Sequence, residues 1–528
     1  MTIGGAVVSE DQVQRQTPGH RLSAAQPHRE MVLLALASVL ATIPVWVASY
    51  PPMVDLPQHA AQVAMLRNLH DPNFRFAGLF EVNWFTPYLV GYMAVYALAP
   101  LLGIVAACKL VISAALAALP LGTGFLMKET GADPYWALLT IPAMYGFAYE
   151  WGFLNFLVGA PLGLFFLVFV MRHVRKPSWA TSVWLGLFPV LLFFCHVLIC
   201  GFFGLIAGIY ILAHARKLRK ALVAMAPMAC VIPIMVTWYI RAKSHSIAQP
   251  TTSWDLGWVH GLDSYSLGGR LTGFFPRLLG LEANPICIVM GASLFALPWL
   301  AGARPVRRGA VWVPLAVCLG VLLFAPTVAF DIAYIFQRFT LLALPFFLVG
   351  MQRSEMVRPA WRGAVVFLLI GWMIVLTAPT LRFDAQAKGF NEILSKMDSN
   401  QRALSLMFLR DTDSIPSPVF LHFPLWYSAI KKGVVDVNFA LLDHELVVYK
   451  PDKIPAVQTG FELSPETFTW SGMNGGAYRY FVVRAPFDMG YKLFRGAPCR
   501  ITLAAHSGDW WLYEKDPHCS PSDSLQED

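Results

Sequence analysis

The sequence predicts a polytopic α-helical membrane protein with about eleven transmembrane helices, followed by a C-terminal α/β domain on the outer side of the membrane. Of its 528 residues, 56% are hydrophobic and only 14% are charged, whereas a soluble chain has roughly 25% charged residues. Residues 1–381 hold 25 Lys and Arg against 14 Asp and Glu, and residues 382–528 hold 15 against 18. This composition excludes a disordered chain and an ordinary soluble protein.

The chain begins with a polar tail, residues 1–30, before the first apolar run at Met31–Tyr50. The length of this tail and the lack of a small-residue cleavage site favour a retained signal anchor. The multi-spanning domain is expected over residues 31–381. Its further apolar runs lie near residues 85–105, 108–127, 135–150, 153–171, 179–197, 198–213, 221–240, 285–301, 310–330, 333–350 and 363–381.

Basic clusters orient these runs, because short loops rich in Lys and Arg stay in the cytoplasm. Four such clusters are present: Arg172, Arg175 and Lys176; Arg216, Lys217, Arg219 and Lys220; Arg304, Arg307 and Arg308; Arg353, Arg358 and Arg362. This orientation places the N-terminus in the cytoplasm. It places the loops 51–84 and 241–284 and the domain 382–528 outside.

One stretch does not fit a simple alternation of spans. An odd number of crossings is required between residue 85 and Arg172, yet four apolar runs lie there. We expect the segment Pro142–Phe156, which contains Gly, Glu and Asn, to be re-entrant or lateral. Lys109 is expected at a cytoplasmic helix end.

The C-terminal region changes character after residue 381. A helical sequence at 385–410 precedes short runs that are typical of strands, which predicts a small α/β or α+β domain. In a bacterial periplasm Cys499 and Cys519 could pair as a disulfide, and two unrelated thiols are the slightly less favoured alternative. The strand-like runs are Val419–Phe423, Leu446–Tyr449, Tyr478–Val483, Ile501–Ala504 and Trp510–Tyr513.

The first outer loop carries the most informative short motif, Asp55-Leu56-Pro57-Gln58-His59. A partly desolvated carboxylate at the membrane boundary can act as a general base, and His59 can orient or assist it. Alternatively, Asp55 and Gln58 have the spacing of a helix-capping box, with Pro57 in the first turn. The amphipathic stretch Ala60–His70 is expected to lie along the interface.

These features together resemble a known family. The long first helix, the outer loop opening on Asp55-x-Pro57-x-His59, the many further helices and the outer C-terminal domain resemble the C-type (GT-C fold) bacterial glycosyltransferases, which use polyprenyl-phosphate sugars. In that family an acidic residue of the first outer loop lies at the catalytic centre, and Asp55 is the matching position. The usual acidic pair D/E-x-D/E is absent, because Pro57 stands two residues after Asp55.

The resemblance implies an enzyme of the bacterial inner membrane that transfers a hexosyl or pentosyl group at the periplasmic face. Its partners would be a polyprenyl-phosphate sugar donor, a glycan, lipid or protein acceptor, and the bilayer, with no nucleic acid. Arg338 lies near the outer end of an apolar run and is the candidate for binding the departing phosphate. Snorkelling or pairing with Asp331 is the alternative for Arg338.

Further candidate substrate-binding residues lie in the outer loops and turns, and each has an ordinary structural alternative. His196 falls at an outer turn, where helix packing is the alternative. Aromatic and acidic side chains together suit a sugar, whereas single interfacial Trp residues often serve as anchors. Glu150 and Asn155 mark the irregular segment. The loop candidates are Glu81, Trp254, Asp255 and His260.

No metal site and no cofactor are assigned. His422, His444, His506 and His518 are scattered in the outer domain without the spacing of metal ligands. Two other functions remain as alternatives. A lipid or polysaccharide transporter would be expected to show inverted repeats and midplane charges. A non-enzymatic scaffold would tolerate substitution of Asp55.

Overall fold

The computed structural model describes residues 26–215, 217–245, 266–328, 332–352 and 359–519. Within these ranges, six helices are long and apolar enough to cross a membrane, and five shorter helices are also apolar. The first ten helices are α1 (Gln26–Leu40), α2 (Pro44–Val47), α3 (Leu56–Asn68), α4 (Leu89–Leu102), α5 (Ile104–Thr130), α6 (Thr140–Ala143), α7 (Phe147–Glu150), α8 (Leu154–Arg175), α9 (Trp179–Cys195) and α10 (Val197–His214).

The remaining helices complete the membrane part and enter the C-terminal domain. They are α11 (Leu218–Met225), α12 (Val231–His245), α13 (Leu267–Thr272), α14 (Phe274–Leu279), α15 (Pro285–Leu300), α16 (Val313–Phe324), α17 (Ile335–Arg338), α18 (Thr340–Val349), α19 (Pro359–Lys396), α20 (Leu425–Lys431) and α21 (Gly490–Leu493). The strands are β1 (Phe80–Val82), β2 (Arg304–Pro305), β3 (Met351–Gln352), β4 (Arg402–Met407), β5 (Val434–Val435), β6 (Val447–Tyr449), β7 (Tyr480–Arg484), β8 (Ile501–Ser507) and β9 (Trp510–Lys515).

The helix bundle has two chemically different ends. At the basic end, Arg172 Nε lies 2.7 Å from Glu129 Oε1 and Arg362 Nη2 lies 3.6 Å from Glu30 Oε1. The opposite end, called the junction end, meets the C-terminal domain and holds Asp55. Ionic groups therefore lie where the bundle meets water, and the apolar length between the two ends is the part that suits a bilayer.

Helix α4 begins and ends at the junction end. Tyr88, just before α4, contacts the His444 ring with centroids 5.5 Å apart. At the start of α5, which follows directly, Lys109 Nζ donates to the Ala48 carbonyl, 2.6 Å away, beyond the end of the first span. Lys109 thus lies at the same end of the bundle as Asp55, whereas the expected cytoplasmic position would place it at the opposite end.

The broken segment consists of a 3₁₀ helix at Pro134–Leu139 followed by α6 and α7. It runs from one end of the bundle to the other. Tyr135 Oη donates to the Arg362 carbonyl at the basic end, and the Glu150 carbonyl accepts from Val54 N at the junction end. The expectation that Pro142–Phe156 is re-entrant or lateral is therefore wrong. The helix that does not cross is α4. The sequence does not reveal this, because hydropathy measures the length of an apolar run and not the direction in which a short helix runs.

Helix α3 is almost entirely buried between the bundle and the C-terminal domain, so most of Ala60–His70 is covered by protein and not by lipid and water, as an amphipathic interfacial helix would be. Two glutamines account for this position. The Gln58 side chain donates to the Val437 carbonyl and accepts from Phe439 N, and the Gln62 side chain bonds both backbone groups of Val447. Buried amides that bond a neighbouring backbone are satisfied without water.

The C-terminal domain contains a five-stranded mixed sheet in the order β5-β4-β7-β9-β8, in which β4 is parallel to β5 and β7. The expected strand at Val419–Phe423 is wrong, since this stretch forms turns. Its Phe420 and Phe423 rings pack on Phe383 of α19 instead. A helix was expected over residues 385–410, but α19 ends at Lys396 and strand β4 follows within the expected range.

Helix α19 joins the bundle to this domain without a break. Its 38 residues make it about 57 Å long, well beyond the thickness of a bilayer core, and the expected domain boundary at residue 382 lies within it. A disulfide joins Cys499 and Cys519, with Cα atoms 5.7 Å apart. Of the two alternatives that the sequence left open, the structure has the disulfide and not two separate thiols.

Candidate active site

Polar side chains converge at the junction end, where the bundle meets the C-terminal domain. Most of them are buried, which is costly for polar groups unless they are bonded or serve a ligand. We call this set the junction cluster, and its members are Asp55, His59, Tyr88, Tyr92, His196, Arg338, His422, His444 and Glu445.

Asp55 is the N-terminal flanking residue of α3, but its side chain makes no capping hydrogen bond. Instead, Asp55 Oδ1 lies 2.9 Å from His422 Nδ1, and the residue is 8% exposed. The capping-box alternative is therefore not adopted. Within the described ranges Oδ2 of Asp55 has no hydrogen-bond partner, so one carboxylate oxygen is oriented by His422 and the other is open to a ligand.

The loop before α3 is held by the break between α7 and α8. Val54 N donates to the Glu150 carbonyl at 2.9 Å, and Asp55 N donates to the Trp151 carbonyl at 3.0 Å. Gly152 adopts φ +77°, and a Cβ there would lie 3.0 Å from Asp55 N. Only glycine suits this conformation and this close approach. The irregular segment thus fixes the position of Asp55.

His59 faces Tyr92 and not the carboxylate of Asp55. His59 Nδ1 lies 2.8 Å from Tyr92 Oη, which donates to Glu445 Oε2 at 2.5 Å. Burial lowers the pKa of His59 to about 4 and raises the pKa of Glu445 to about 8. At neutral pH the row His59–Tyr92–Glu445 is therefore largely uncharged. His422 occupies the place beside Asp55 that the sequence assigned to His59.

Arg338, in α17, is buried and has no carboxylate partner among the described residues. Its Nη1 lies 3.0 Å from His196 Nε2, and its Nη2 donates to the Ala333 carbonyl at 2.8 Å. The guanidinium stacks on Phe153, with Cζ 3.6 Å from the ring centroid, and Nε has no partner. Asp331, the alternative partner for Arg338, lies outside the described residues. A buried cation that forms no ion pair within the described residues is a strong candidate for binding an anion.

Rings connect Arg338 to the C-terminal domain. His196 packs edge-on against Tyr88 with centroids 5.0 Å apart, and Tyr88 contacts His444 at 5.5 Å. Burial lowers the pKa of His444 to about 4, with a further contribution from Arg338. His444 is thus neutral at physiological pH and adds no second positive charge beside Arg338. Asp55 also interacts electrostatically with Arg338.

The other predicted residues lie elsewhere or serve the scaffold. Glu81 is exposed on β1, which pairs antiparallel with β6 so that Glu81 faces Val448, and its substrate-binding role stays a prediction. Asn155 Oδ1 accepts from Gly91 N at 3.0 Å, which ties α8 to α4. Three predicted residues, Trp254, Asp255 and His260, lie outside the described residues.

Sequence reasoning missed the contribution of the C-terminal domain to the cluster. His422 stands inside the apolar run Phe420–Phe423, and His444 and Glu445 belong to the short polar stretch between Leu442 and Leu446. An ionisable residue inside an apolar run was the available signal. Over the ranges that the structure describes, no group of three or more His, Cys, Asp or Glu side chains is arranged to hold a metal ion.

Two solved structures have a similar fold over almost the whole chain. ArnT from Cupriavidus metallidurans bound to undecaprenyl phosphate is 10% identical, with a TM-score of 0.51 over 94% of this chain and 99% of that chain. The same protein in the apo state is 12% identical, with a TM-score of 0.50 over 92% and 98% of the two chains. No family model matches the chain, and no curated protein matches it in sequence.

These likenesses concern the fold. The chain has the fold of ArnT, a GT-C fold glycosyltransferase, and is a mostly helical multi-pass membrane protein.

Proposed function

We propose that this chain, with the fold it shares with ArnT, is a membrane glycosyltransferase that takes its sugar from a polyprenyl-phosphate donor. The buried guanidinium of Arg338 carries the proposal, because it forms no ion pair within the described residues and lies in one cluster with the carboxylate of Asp55. The reaction needs a cation where the phosphate departs and a base where the acceptor is deprotonated. The presence of undecaprenyl phosphate in the ArnT structure supports this class of donor.

The reaction follows from the two groups. An acceptor hydroxyl attacks the anomeric carbon, a new C–O bond forms, and the bond from that carbon to the phosphate oxygen breaks. Oδ2 of Asp55 receives the hydroxyl proton, while His422 holds Oδ1 in place. The released polyprenyl phosphate takes the bonding electrons, and Arg338 with His196 stabilises its charge. Positioning of donor and acceptor together supplies much of the remaining rate enhancement.

The proposed site faces the periplasm. The basic end of the bundle is typical of a cytoplasmic face, and the junction end then faces outward. The Cys499–Cys519 disulfide supports an oxidising compartment for the C-terminal domain. The membrane is therefore proposed to be a bacterial inner membrane, with the N-terminus cytoplasmic.

The C-terminal domain is proposed to close the site and to contribute to binding of a glycan, lipid or protein acceptor. His422 and Glu445 reach the membrane part from this domain and bond Asp55 and Tyr92, respectively. Transfer needs no metal in this proposal, because Arg338 supplies the positive charge. The sugar is a hexose or a pentose.

The test is the Asp55→Asn variant, purified and reconstituted into membranes from cells that do not make this protein. Synthetic undecaprenyl-phosphate hexoses and pentoses serve as donors, and the release of undecaprenyl phosphate is measured. Loss of a general base typically costs 10²–10⁴-fold, so we expect turnover to fall at least about 100-fold. Asp452→Asn, which changes an exposed carboxylate of the C-terminal domain, is the matched control and should turn over at the unchanged rate. Unchanged turnover by a folded Asp55→Asn protein would favour the scaffold alternative.

A further inference from the structure

A groove separate from the junction cluster lies at the same end of the bundle. Its cavity volume is about 700 Å³, and it runs between α2, the far end of α3, the turn from α4 to α5, and α20. None of the junction cluster residues lines it. Asp55 and Arg67 stand twelve residues apart on α3, which places them about 18 Å apart along the helix axis.

The polar lining of the groove is cationic. Arg67, Lys109 and Lys432 line it together with Asn68, and no carboxylate is among its lining residues. Lys432 Nζ lies 2.6 Å from Asp71 Oδ2 and is thus partly neutralised. Arg67 is exposed and has no ion-pair or hydrogen-bond partner in the described part of the chain. At least one full positive charge therefore faces the groove uncompensated.

Lys109 is held in an orientation that suits an anion. It is 7% exposed, its Nζ donates to the Ala48 carbonyl at 2.6 Å, and the ammonium lies 5.7 Å from the centroid of the Trp46 ring. An ammonium has three donors, and the carbonyl uses one of them. Asp384 is the carboxylate that interacts with Lys109, and it accepts from Ser49 N.

The other walls are apolar and continue onto the outer surface of the bundle. Leu102 and Trp46, both lining residues, are 45% and 46% exposed, and the neighbouring Leu101 is 81% exposed. In a membrane protein such side chains contact acyl chains, and Trp sits at the level of the headgroups. A cationic pocket that opens onto acyl-chain surface matches an anionic lipid in charge and in shape.

We propose that this groove binds the phosphate headgroup of an anionic phospholipid of the surrounding bilayer, with its acyl chains along Leu102 and Trp46. The site is independent of the proposed transfer reaction, since it shares no residue with the junction cluster. Because the groove lies on α3, a bound lipid would also brace the helix whose other end carries Asp55.

The test compares phosphatidylglycerol with phosphatidylcholine of the same acyl chains. The protein is titrated with each lipid in detergent, and bound lipid is counted by native mass spectrometry. We expect tighter binding of phosphatidylglycerol. Each Lys or Arg near a lipid headgroup is worth about fivefold in affinity, so Arg67→Gln should weaken that binding about fivefold. Lys109→Gln should weaken it at least as much.

Lys176→Gln removes an exposed cation at the basic end and should leave binding unchanged. Equal affinity for both lipids, or equal loss in Lys176→Gln and Arg67→Gln, would overturn the site. Displacement of the lipid by excess inorganic phosphate would show that the groove binds a free anion, and it would overturn the proposal that the groove binds a phospholipid headgroup. Should Lys109→Gln fail to fold, Arg67→Gln decides, since its side chain is exposed. The titration uses no sugar donor, so its result is independent of the transferase test.

Discussion

The carboxylate of Asp55 is held on one side only, by an imidazole from the C-terminal domain. His422 Nδ1 is placed to donate a hydrogen bond to Oδ1 of Asp55, which orients the carboxylate and leaves Oδ2 as the oxygen that can accept a proton. His422 contacts Asp55 and is not placed on the reacting atoms. It is therefore a positioning residue, and its loss should affect turnover more than binding.

Replacing His422 separates these roles. In His422→Phe the hydrogen bond is lost and we expect kcat to fall about tenfold, the usual value of a hydrogen bond to a charged group. KM for the donor should stay unchanged, because Arg338 holds the phosphate. His422→Asn keeps a donor of similar reach and should restore most of kcat. A tenfold rise in KM with unchanged kcat would show that His422 binds substrate instead.

At this scale the sequence predicted part of the site. Asp55, His196 and Arg338 stand out because charged or polar groups in apolar surroundings are costly. His422 could not be paired with Asp55, because 367 positions separate them and no local pattern links an outer-domain histidine to the first loop. Long-range packing decides that contact.

Helix α3 is the element that fixes the site to both halves of the molecule. Gln62 is fully buried and bonds Val447 N at 2.8 Å and the Val447 carbonyl at 2.9 Å. Gln62→Ala would leave two buried backbone groups without partners. We expect a loss of about 2–4 kcal/mol of stability, measured as a lower unfolding temperature in detergent.

The matched control for that experiment is Gln458→Ala, which truncates an exposed glutamine of the C-terminal domain whose amide bonds only the nearby Pro455 carbonyl, a group that water can bond in its place. It should leave the unfolding temperature unchanged. If Gln62→Ala and Gln458→Ala unfolded at the same temperature, α3 would not depend on the bonds of Gln62, and the account of its burial would be wrong.

Helices could be predicted where an apolar run of the sequence is long enough to span a membrane. The long apolar helices α5 and α8 follow from hydropathy alone. The burial of α3 and the non-crossing course of α4 do not, because both depend on a partner surface supplied more than 300 residues later, as in the contact of Tyr92 with Glu445. Strand β4 was likewise hidden by its position directly after a helix.

The whole molecule has an apolar bundle, a basic end and a junction end covered by the C-terminal domain. We propose about eleven crossings, since helices alternate between the two ends and short basic loops gather at one. The crossing segments contain α1, α5, α6, α8, α9, α10, α12, α15, α16, α18 and α19.

Cysteine labelling tests this topology. Lys453 is exposed in the C-terminal domain and Lys176 is exposed at the basic end. In a Cys230→Ser background, which removes the exposed free thiol of the described residues, an impermeant maleimide should label Lys453→Cys in intact cells. Lys176→Cys should react only after lysis. The reverse pattern would contradict the orientation and place the site in the cytoplasm.

The central claim is that the buried guanidinium of Arg338 binds the phosphate of a polyprenyl carrier. The most direct measurement is titration of the purified protein with undecaprenyl phosphate, comparing the unaltered chain, Arg338→Gln and the control Lys492→Gln, which changes an exposed cation of the C-terminal domain. Because a bond to a charged group is worth about 1.5–3 kcal/mol, Kd should rise at least about tenfold in Arg338→Gln alone. An unchanged Kd in folded Arg338→Gln would contradict the account.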